Sequence, residues 1–435
     1  MLFFLQNSFF SEVRVILARI SARLSAMPEN ARYGLMLFVL FLWSMPTFEG
    51  GRVSAPFKGQ TAVAGYFNHM FYSEEELEFI DHKITRLLID QRFNGNVLIS
   101  RYGMVIYERS FGFSSFNRSE PMNLETTFQL ASISKTFTAA GVLVLQQQEL
   151  LHIDHKVKEY IPEFPFDNIT IRHLLTHTSG LQNYMWMVER HWKKREFPNN
   201  EDVLELFLQH PRPLNFSPGQ RFDYSNTGYV FLALLIERVS GQRFSSFIQE
   251  QIFSPLEMNR TFVYDLHNPT EIENRAFGYR QARGRNIRIP DDNLDGPLGD
   301  KGVFSTVYDL FKWDQALHRS ELLPPQIWQE AFSHGRLNND SLIDYGLGWR
   351  LQKYLDKLIV HHPGRWHGFR TSFKRFVDDH SVIIVLTNNN QGILPVIEGI
   401  QDILYYDEKE IWQAIHSGEV ILPETEEEPQ TDTGP

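Results

Sequence analysis

The sequence predicts an α/β (α+β) fold: an antiparallel sheet that draws strands from both ends of the chain, flanked by helices, with a mostly helical part inserted between. Three observations predict it. "GNVLISRYGMVIYERSFG" at 95–112 holds two β-rich runs around "RYG", a hairpin signal. The middle of the chain repeats apolar residues at helical spacing, and "LIVHHPGRWHGFRTSFKRFVDDHSVIIVLTNNN" at 358–390 returns to strands.

Taken in order, the elements begin after a distinct N-terminal segment. Residues 1–65 read as a targeting or anchor segment with linker. Within it "YGLMLFVLFLWSM" at 33–45 is an uncharged apolar block with Arg32 before it and Glu49 after it. A bilayer-spanning helix needs about 20 apolar residues, so the block suits a signal-peptide core better, cleaved or kept as an anchor. This predicts an extracytoplasmic location, periplasmic, secreted or membrane-anchored. From residue 75 to about 410 the chain reads as one globular unit, with its sheet part at about 75–135 and 295–405 and its helical part at about 136–294. After the hairpin, "SKTFTAAGVLVLQQQELL", "TIRHLLTHTSGL", "DVLELFLQHP" and "TGYVFLALLIERVSG" read as helices, the last closed by Gly241. Residues 266–300 are rich in Gly, Pro and Asn and read as a long loop near a site. The tail at 418–435 is acidic, almost devoid of apolar residues, and reads as disordered.

Composition narrows the function. The 435 residues suffice for one large domain or two ordinary ones. A formal net charge of -11, from 42 Lys and Arg against 53 Asp and Glu, argues against a nucleic-acid binder. There are 0 cysteines, which excludes disulfides, thiolate chemistry and Cys-ligated zinc.

The chemistry begins at "FQLASISKTF", 128–137, where an apolar run gives way to a helical one. Ser132 and Lys135 stand one helical turn apart. A serine hydroxyl needs a base within hydrogen-bond reach, and burial lowers a lysine's pKa enough to make it one. The position at a helix start adds the positive end of the helix dipole. Taken alone, the pair also fits a helix cap followed by an ordinary lysine. It is joined by Tyr224 and Asn226 in "FDYSNTGY" and by His362 and Gly364 in "HHPGRWHGF".

At these three points, in this order, the sequence resembles the serine β-lactamase and penicillin-binding protein superfamily. More closely it is similar to the class C β-lactamase-related serine hydrolases, which include D-alanyl-D-alanine carboxypeptidases, D-aminopeptidases and esterases. "LLTHTSGL", "YSNTGYVFLALLIERVSG", "IFSPLEMNRT" and "GVFSTVYDLFKW" also look like stretches of that family, and the likeness runs from about 78 to 405. The resemblance implies a β-lactamase/transpeptidase-like fold and an exported serine hydrolase that works through an acyl-enzyme on an amide, peptide or ester bond. The alternative is a non-hydrolytic homologue that binds penicillin or senses cell-wall fragments. By the resemblance, Ser132 attacks the carbonyl and Lys135 and Tyr224 share the proton. Asn226 orients Lys135 and the substrate amide, and His362 faces the substrate's carboxylate or leaving side. The backbone N–H groups of Ser132 and Arg365 form the oxyanion hole, with Gly364 beside them. The substrate would be a small molecule or a peptide, including cell-wall peptide. No cofactor and no metal are implied.

Two departures from the family pattern stand out. Where many relatives carry a lysine this chain has His362, expected to be only partly charged near neutral pH. Pro363 replaces a small hydroxyl residue and removes a backbone donor. Other residues have plainer readings. His173 and His177 have zinc-like spacing but lack the accompanying glutamate. Tyr184, Trp186 and Trp192 would wall the cleft or fill core, and Asp309 would cap or brace a helix.

Overall fold

The computed structural model describes residues 72–269 and 271–405. The apolar block at 33–45, the rest of the N-terminal segment and the acidic tail lie outside the described residues. From Ile80 onward the described chain forms one compact unit; of the preceding unit only 72–79 are described. Among the described residues no helix is long and apolar enough to cross a membrane.

Helix α1 is Glu74–Asp90, with Ile84 and Leu88 fully buried. The predicted hairpin follows as β1, Gly95–Arg101, and β2, Met104–Phe111. Its turn places Tyr102 at φ 53° and Gly103 at φ 76°. Two left-handed residues in succession give a turn whose twist matches that of the strands it joins. Helix α2 is Ser134–Gln147, entered through a 3-10 turn at Ala131–Ile133. Helices α3, Tyr184–His191, α4, Asn200–Gln209, and α5, Asn226–Ser240, make the inserted part, and Gly241 ends α5 at φ 70° as the spacing predicts. Strands β3, Tyr279–Ala282, and β4, Arg285–Arg288, form a separate hairpin. Helix α6 is Val307–Arg319. Then come β5, Arg350–Tyr354, β6, Lys357–Trp366, β7, Phe369–Phe376, and β8, Ser381–Thr387, before α7, Leu394–Tyr405.

The main sheet has the order β5-β6-β7-β8-β1-β2, antiparallel throughout. The two ends of the chain meet where β1 pairs β8, from Gly95↔Thr387 to Ser100↔Val382. Every residue of both strands is buried, which explains their near-continuous apolar runs. Helix α6 packs on β8 and β1, and α2 packs on α5. Residues Ser134–Leu145 of α2 are all buried, so it is the central helix of the fold. Its Gly141 permits close approach: a Cβ there would lie 2.8 Å from Ile248 Cδ1.

The stretch expected as one long loop at 266–300 is more ordered than its composition implies. It contains the β3–β4 hairpin, turned through Arg283 at φ 50° and Gly284 at φ 74°. Its end is core: Asp300 and Lys301 are buried, and Gly299 would clash with Tyr229 O at 2.4 Å if it bore a Cβ. Gly284 serves the turn, whereas Gly278, Gly296 and Gly299 serve tight contacts.

Candidate active site

The 3-10 turn carrying Ser132 is held from both sides. Below it, the Leu130 N–H donates to Val303 O at 2.8 Å. Above it runs β6, and at Gly364 the strand passes so close that a Cβ would lie 2.3 Å from Leu130 O and 2.0 Å from Thr371 Oγ1. Thr371 Oγ1 in turn donates to Leu130 O at 2.8 Å. Ala131, the residue before Ser132, sits at φ 52°, a left-handed conformation sparsely used outside glycine. Such strain persists only where surrounding contacts over-determine the backbone, and these do. The β5–β6 pairing ends at Arg350↔His361, so residues 362–366 of β6 run on past the short edge strand beside Ser132.

Lys135, one turn later, is fully buried. Its Nζ donates to Ser132 Oγ at 3.2 Å and to the backbone oxygen of Asp300 at 2.8 Å. Burial pulls its pKa down from 10.5 to about 8; the Asp300 carboxylate resists this and Arg350 adds to it. Tyr224 hydrogen-bonds Ser132, and the Lys135 Nζ stands 5.1 Å from the centre of its ring. Burial raises the Tyr224 pKa, with the Ser132 bond and Arg350 opposing the rise. The three groups expected to share a proton are therefore in contact, and the lysine is the one that releases its proton more readily.

The remaining expected residues divide. Asn226 starts α5 beside the site, but its Nδ2 reaches Met185 Sδ at 3.9 Å and its buried Oδ1 has no partner. It is not seen bonded to Lys135 as expected. His362 lies on β6 at 1% exposure. Its Nδ1 is 2.8 Å from Pro363 O, an acceptor, so Nδ1 carries the proton and Nε2 accepts from Tyr345 OH at 3.1 Å. Burial first, and then Lys135, hold its pKa well below 6.5. The expectation of a partly charged His362 is corrected: it is neutral, because an enclosed imidazole beside a lysine cannot keep a second proton. Arg365 is exposed at the end of β6.

His173 and His177 have separate duties. His173 closes the N-terminus of the short helix Ile171–Leu175 with Thr170. His177 is buried with its ring 4.2 Å from that of Tyr224, and its Nδ1 meets the Ser225 backbone at 3.1 Å. It braces the tyrosine. Asp309 binds the Arg260 N–H at 2.8 Å and Thr261 Oγ1 at 2.9 Å, bracing α6. Tyr184 and Trp192 are core, whereas Trp186 lies between Arg190 and Arg212.

Two features went unread in the sequence. Arg350 places its guanidinium 5.0 Å from the Tyr224 ring centre and 5.8 Å from that of Tyr345, with Nε buried and unpartnered. A charged residue closing the apolar "YGLGW" was the available signal. The second is a buried network under Lys135. Lys301 Nζ donates to Tyr184 OH at 2.7 Å and to Asp300 Oδ1 at 3.3 Å, and Tyr184 OH donates to Asp300 Oδ2 at 3.2 Å. It fixes the segment whose carbonyl holds Lys135.

At the tip of the β6–β7 hairpin, Asp295 accepts from Trp366 Nε1 at 2.6 Å and meets His367 Nε2 at 3.1 Å. Asp292, Asp295 and His367 bring ligand atoms within 4.8 Å of one another, as a cation site would. Their mutual pairing accounts for the cluster.

Residues 80–406 match the model of the Beta-lactamase family. The chain belongs to that family. Penicillin-binding protein 4* of Bacillus subtilis (strain 168) is 38% identical over 69% of this chain and 69% of its own length. A D-aminopeptidase of Brucella abortus (strain S19) is 25% identical over 68% of this chain and 56% of its own. The crystal structure of a penicillin binding protein from Bacillus halodurans superposes with a TM-score of 0.65 at 26% identity, covering 74% of this chain and 98% of that one. Membership makes this chain a serine hydrolase of the β-lactamase fold, with the antiparallel sheet and central helix the family requires.

Proposed function

We propose that this β-lactamase-family hydrolase cleaves an amide, peptide or ester bond through an acyl-enzyme on Ser132, outside the cytoplasm. The observation that carries the reading is Lys135: fully buried, 3.2 Å from Ser132 Oγ, with a pKa near 8. A lysine so placed spends an appreciable fraction of its time neutral and can accept the serine proton as the hydroxyl attacks a carbonyl. Tyr224 then relays that proton toward the leaving group, its phenol staying protonated between transfers. The backbone N–H groups of Ser132 and Arg365 stabilise the oxyanion. Asn226 turns its buried Oδ1 to the substrate's amide N–H. With His362 neutral, Arg350 supplies the fixed positive charge beside Tyr224. The names of the two relatives, a penicillin-binding protein and a D-aminopeptidase, favour small peptides or amides with a D-residue next to the scissile bond. The apolar block at 33–45 supports export or anchoring.

The test is labelling by a fluorophosphonate and by a fluorescent penicillin, with wild type and Ser132→Ala side by side. Wild type should be labelled and the variant not, while both melt within several degrees of each other, since Ser132 caps no helix and its hydroxyl bonds to Lys135 and Tyr224 contribute only about 1 kcal/mol each. Labelling of Ser132→Ala at the wild-type rate would remove Ser132 as the nucleophile. A panel of D-alanyl-D-alanine peptides, D-amino-acid amides, p-nitrophenyl esters and nitrocefin follows. Labelling with no turnover of any member would turn the reading toward a sensing homologue.

A further inference from the structure

The β3–β4 hairpin carries a concentration of charge that the overall acidity hides. From Arg275 to Ile289 there are five arginines, Arg275, Arg280, Arg283, Arg285 and Arg288, and no acidic residue. Arg280, Arg283, Arg285 and Arg288 are exposed. Acidic side chains flank the hairpin in sequence, Glu271 and Glu273 before it and Asp291, Asp292 and Asp295 after it. Of these, Asp291 pairs with Arg275 at 3.5 Å, and Asp292 and Asp295 face His367. The four exposed arginines have no carboxylate within ion-pair distance among the described residues. Arg288 lies 4.0 Å from the Phe277 ring centre, and the side chains facing the first strand from the loop after β8 are the neutral Asn390 and Gln391.

A second observation places this arm beside the cleft. A Cβ on Gly368, in the β6–β7 turn, would lie 2.0 Å from Tyr279 N, so the base of the hairpin abuts the turn that follows Arg365 and Trp366. In that turn Arg365 and Arg370 stand directly opposite in register. Like charges in that position destabilise a sheet. Among the described residues Arg370 donates to the backbone oxygens of His367 and Phe369, at 3.3 and 2.8 Å. Arginines from two adjoining elements thus flank one rim, with the Asp291 carboxylate acting on Arg275 and Arg288, on a protein of net charge -11. Such a local field attracts anions that the molecule as a whole repels.

We propose that this rim docks a flexible polyanionic chain, bearing phosphate or carboxylate groups, alongside the catalytic cleft. Docking does not depend on the identity of the nucleophile, so Ser132→Ala should bind as wild type does.

Binding is read by fluorescence anisotropy of end-labelled inorganic polyphosphate and end-labelled poly-L-glutamate, with wild type, Ser132→Ala and the triple variant Arg280→Gln/Arg283→Gln/Arg285→Gln. At 50 mM salt the wild type should bind at least one probe. The triple variant should bind roughly 100-fold more weakly, about fivefold per arginine. Binding should also fall steeply at 200 mM salt as screening shortens. Hydrolysis of a neutral p-nitrophenyl ester should be unchanged in the triple variant, which shows that it is folded. Preference for polyphosphate or for polyglutamate assigns the charged group. Equal binding by wild type and triple variant overturns the proposal, as does absence of binding to both probes. Co-sedimentation with phosphatidylglycerol vesicles, without binding of either soluble chain, would replace it with a membrane-facing role.

Discussion

The dependence of acylation on pH reads Lys135 directly. Its pKa falls from 10.5 to about 8 chiefly because the side chain is fully buried. At roughly 1.4 kcal/mol per pKa unit this is about 3 kcal/mol disfavouring the ammonium form. If the neutral amine is the base, its population sets the rate. About a tenth of the enzyme is ready at pH 7 and about nine-tenths at pH 9, so kcat/KM for a neutral ester should rise nearly tenfold between them. The groups facing Lys135 fix the sign of any perturbation. The Asp300 carboxylate favours its charge and Arg350 opposes it, while His177 and His362 are neutral neighbours. Arg350→Leu should therefore raise the midpoint of the limb. Tyr224→Phe should lower kcat by about 100-fold yet leave the midpoint in place, because the phenol titrates far above this range. The assay is single-turnover release of p-nitrophenol from pH 6 to 10. A flat profile between pH 7 and 9 would refute the assignment of Lys135, and loss of the limb in Tyr224→Phe would transfer the role to the tyrosine.

Three further outcomes follow from the same geometry. Lys135→Met should change how stability depends on pH. The burial penalty on the lysine is full below pH 8 and gone above 10.5, so between pH 7 and 9.5 wild type should gain about 2 kcal/mol that the variant does not, measured by denaturant unfolding. Gly364→Ala should cost at least about 2 kcal/mol by overpacking, since a Cβ 2.3 Å from Leu130 O must push apart β6 and the Ser132 turn. Its activity should fall more than its melting temperature suggests; a fully active Gly364→Ala would show that the close approach is dispensable. For a carboxylate substrate and its matched amide, KM should respond alike to pH between 6.5 and 7.5 because burial holds the His362 pKa well below 6.5. Arg350→Leu should raise KM for the acid alone, by about 10- to 100-fold, the scale of a charge-assisted hydrogen bond.

Local signals in the sequence were reliable and long-range ones were not. The hairpin at 95–112, the helix closed by Gly241 and the three β-rich runs of 358–387 each follow from neighbouring residues, and the structure has them. The contact between Ser132 and Lys135 was legible because one helical turn is a local distance. Tyr224 became legible through a shared motif. Arg350 was not, because only the β5–β6 register brings it to the site, and Asp300 was not, because it acts through a backbone oxygen that any residue possesses. His362 was misread in charge for a related reason. The sequence shows an imidazole in place of an amine, but its protonation is decided by Tyr345 and Lys135, which the fold delivers from other elements.

The two buried lysines show how the fold assigns different roles to one residue type. Lys135 and Lys301 both approach Asp300 and both lie at the centre of the molecule. Lys301 takes the carboxylate, with the Tyr184 hydroxyl and the Pro297 carbonyl completing its shell. A buried ammonium with a carboxylate at 3.3 Å and two further acceptors has its charge answered locally. Lys135 takes only the backbone oxygen of the same residue and the hydroxyl of Ser132, both neutral, with the Arg350 cation nearby. Its two hydrogen-bond acceptors are neutral, so burial outweighs the Asp300 carboxylate, which resists the shift without touching the amine. By giving one lysine the side chain of Asp300 and the other its main chain, the structure makes the first a fixed support and the second a group that can lose its proton near neutral pH. The support is not incidental. The Lys301–Asp300–Tyr184 network holds the carbonyl against which Lys135 is aimed, and so fixes the direction from which its amine meets Ser132.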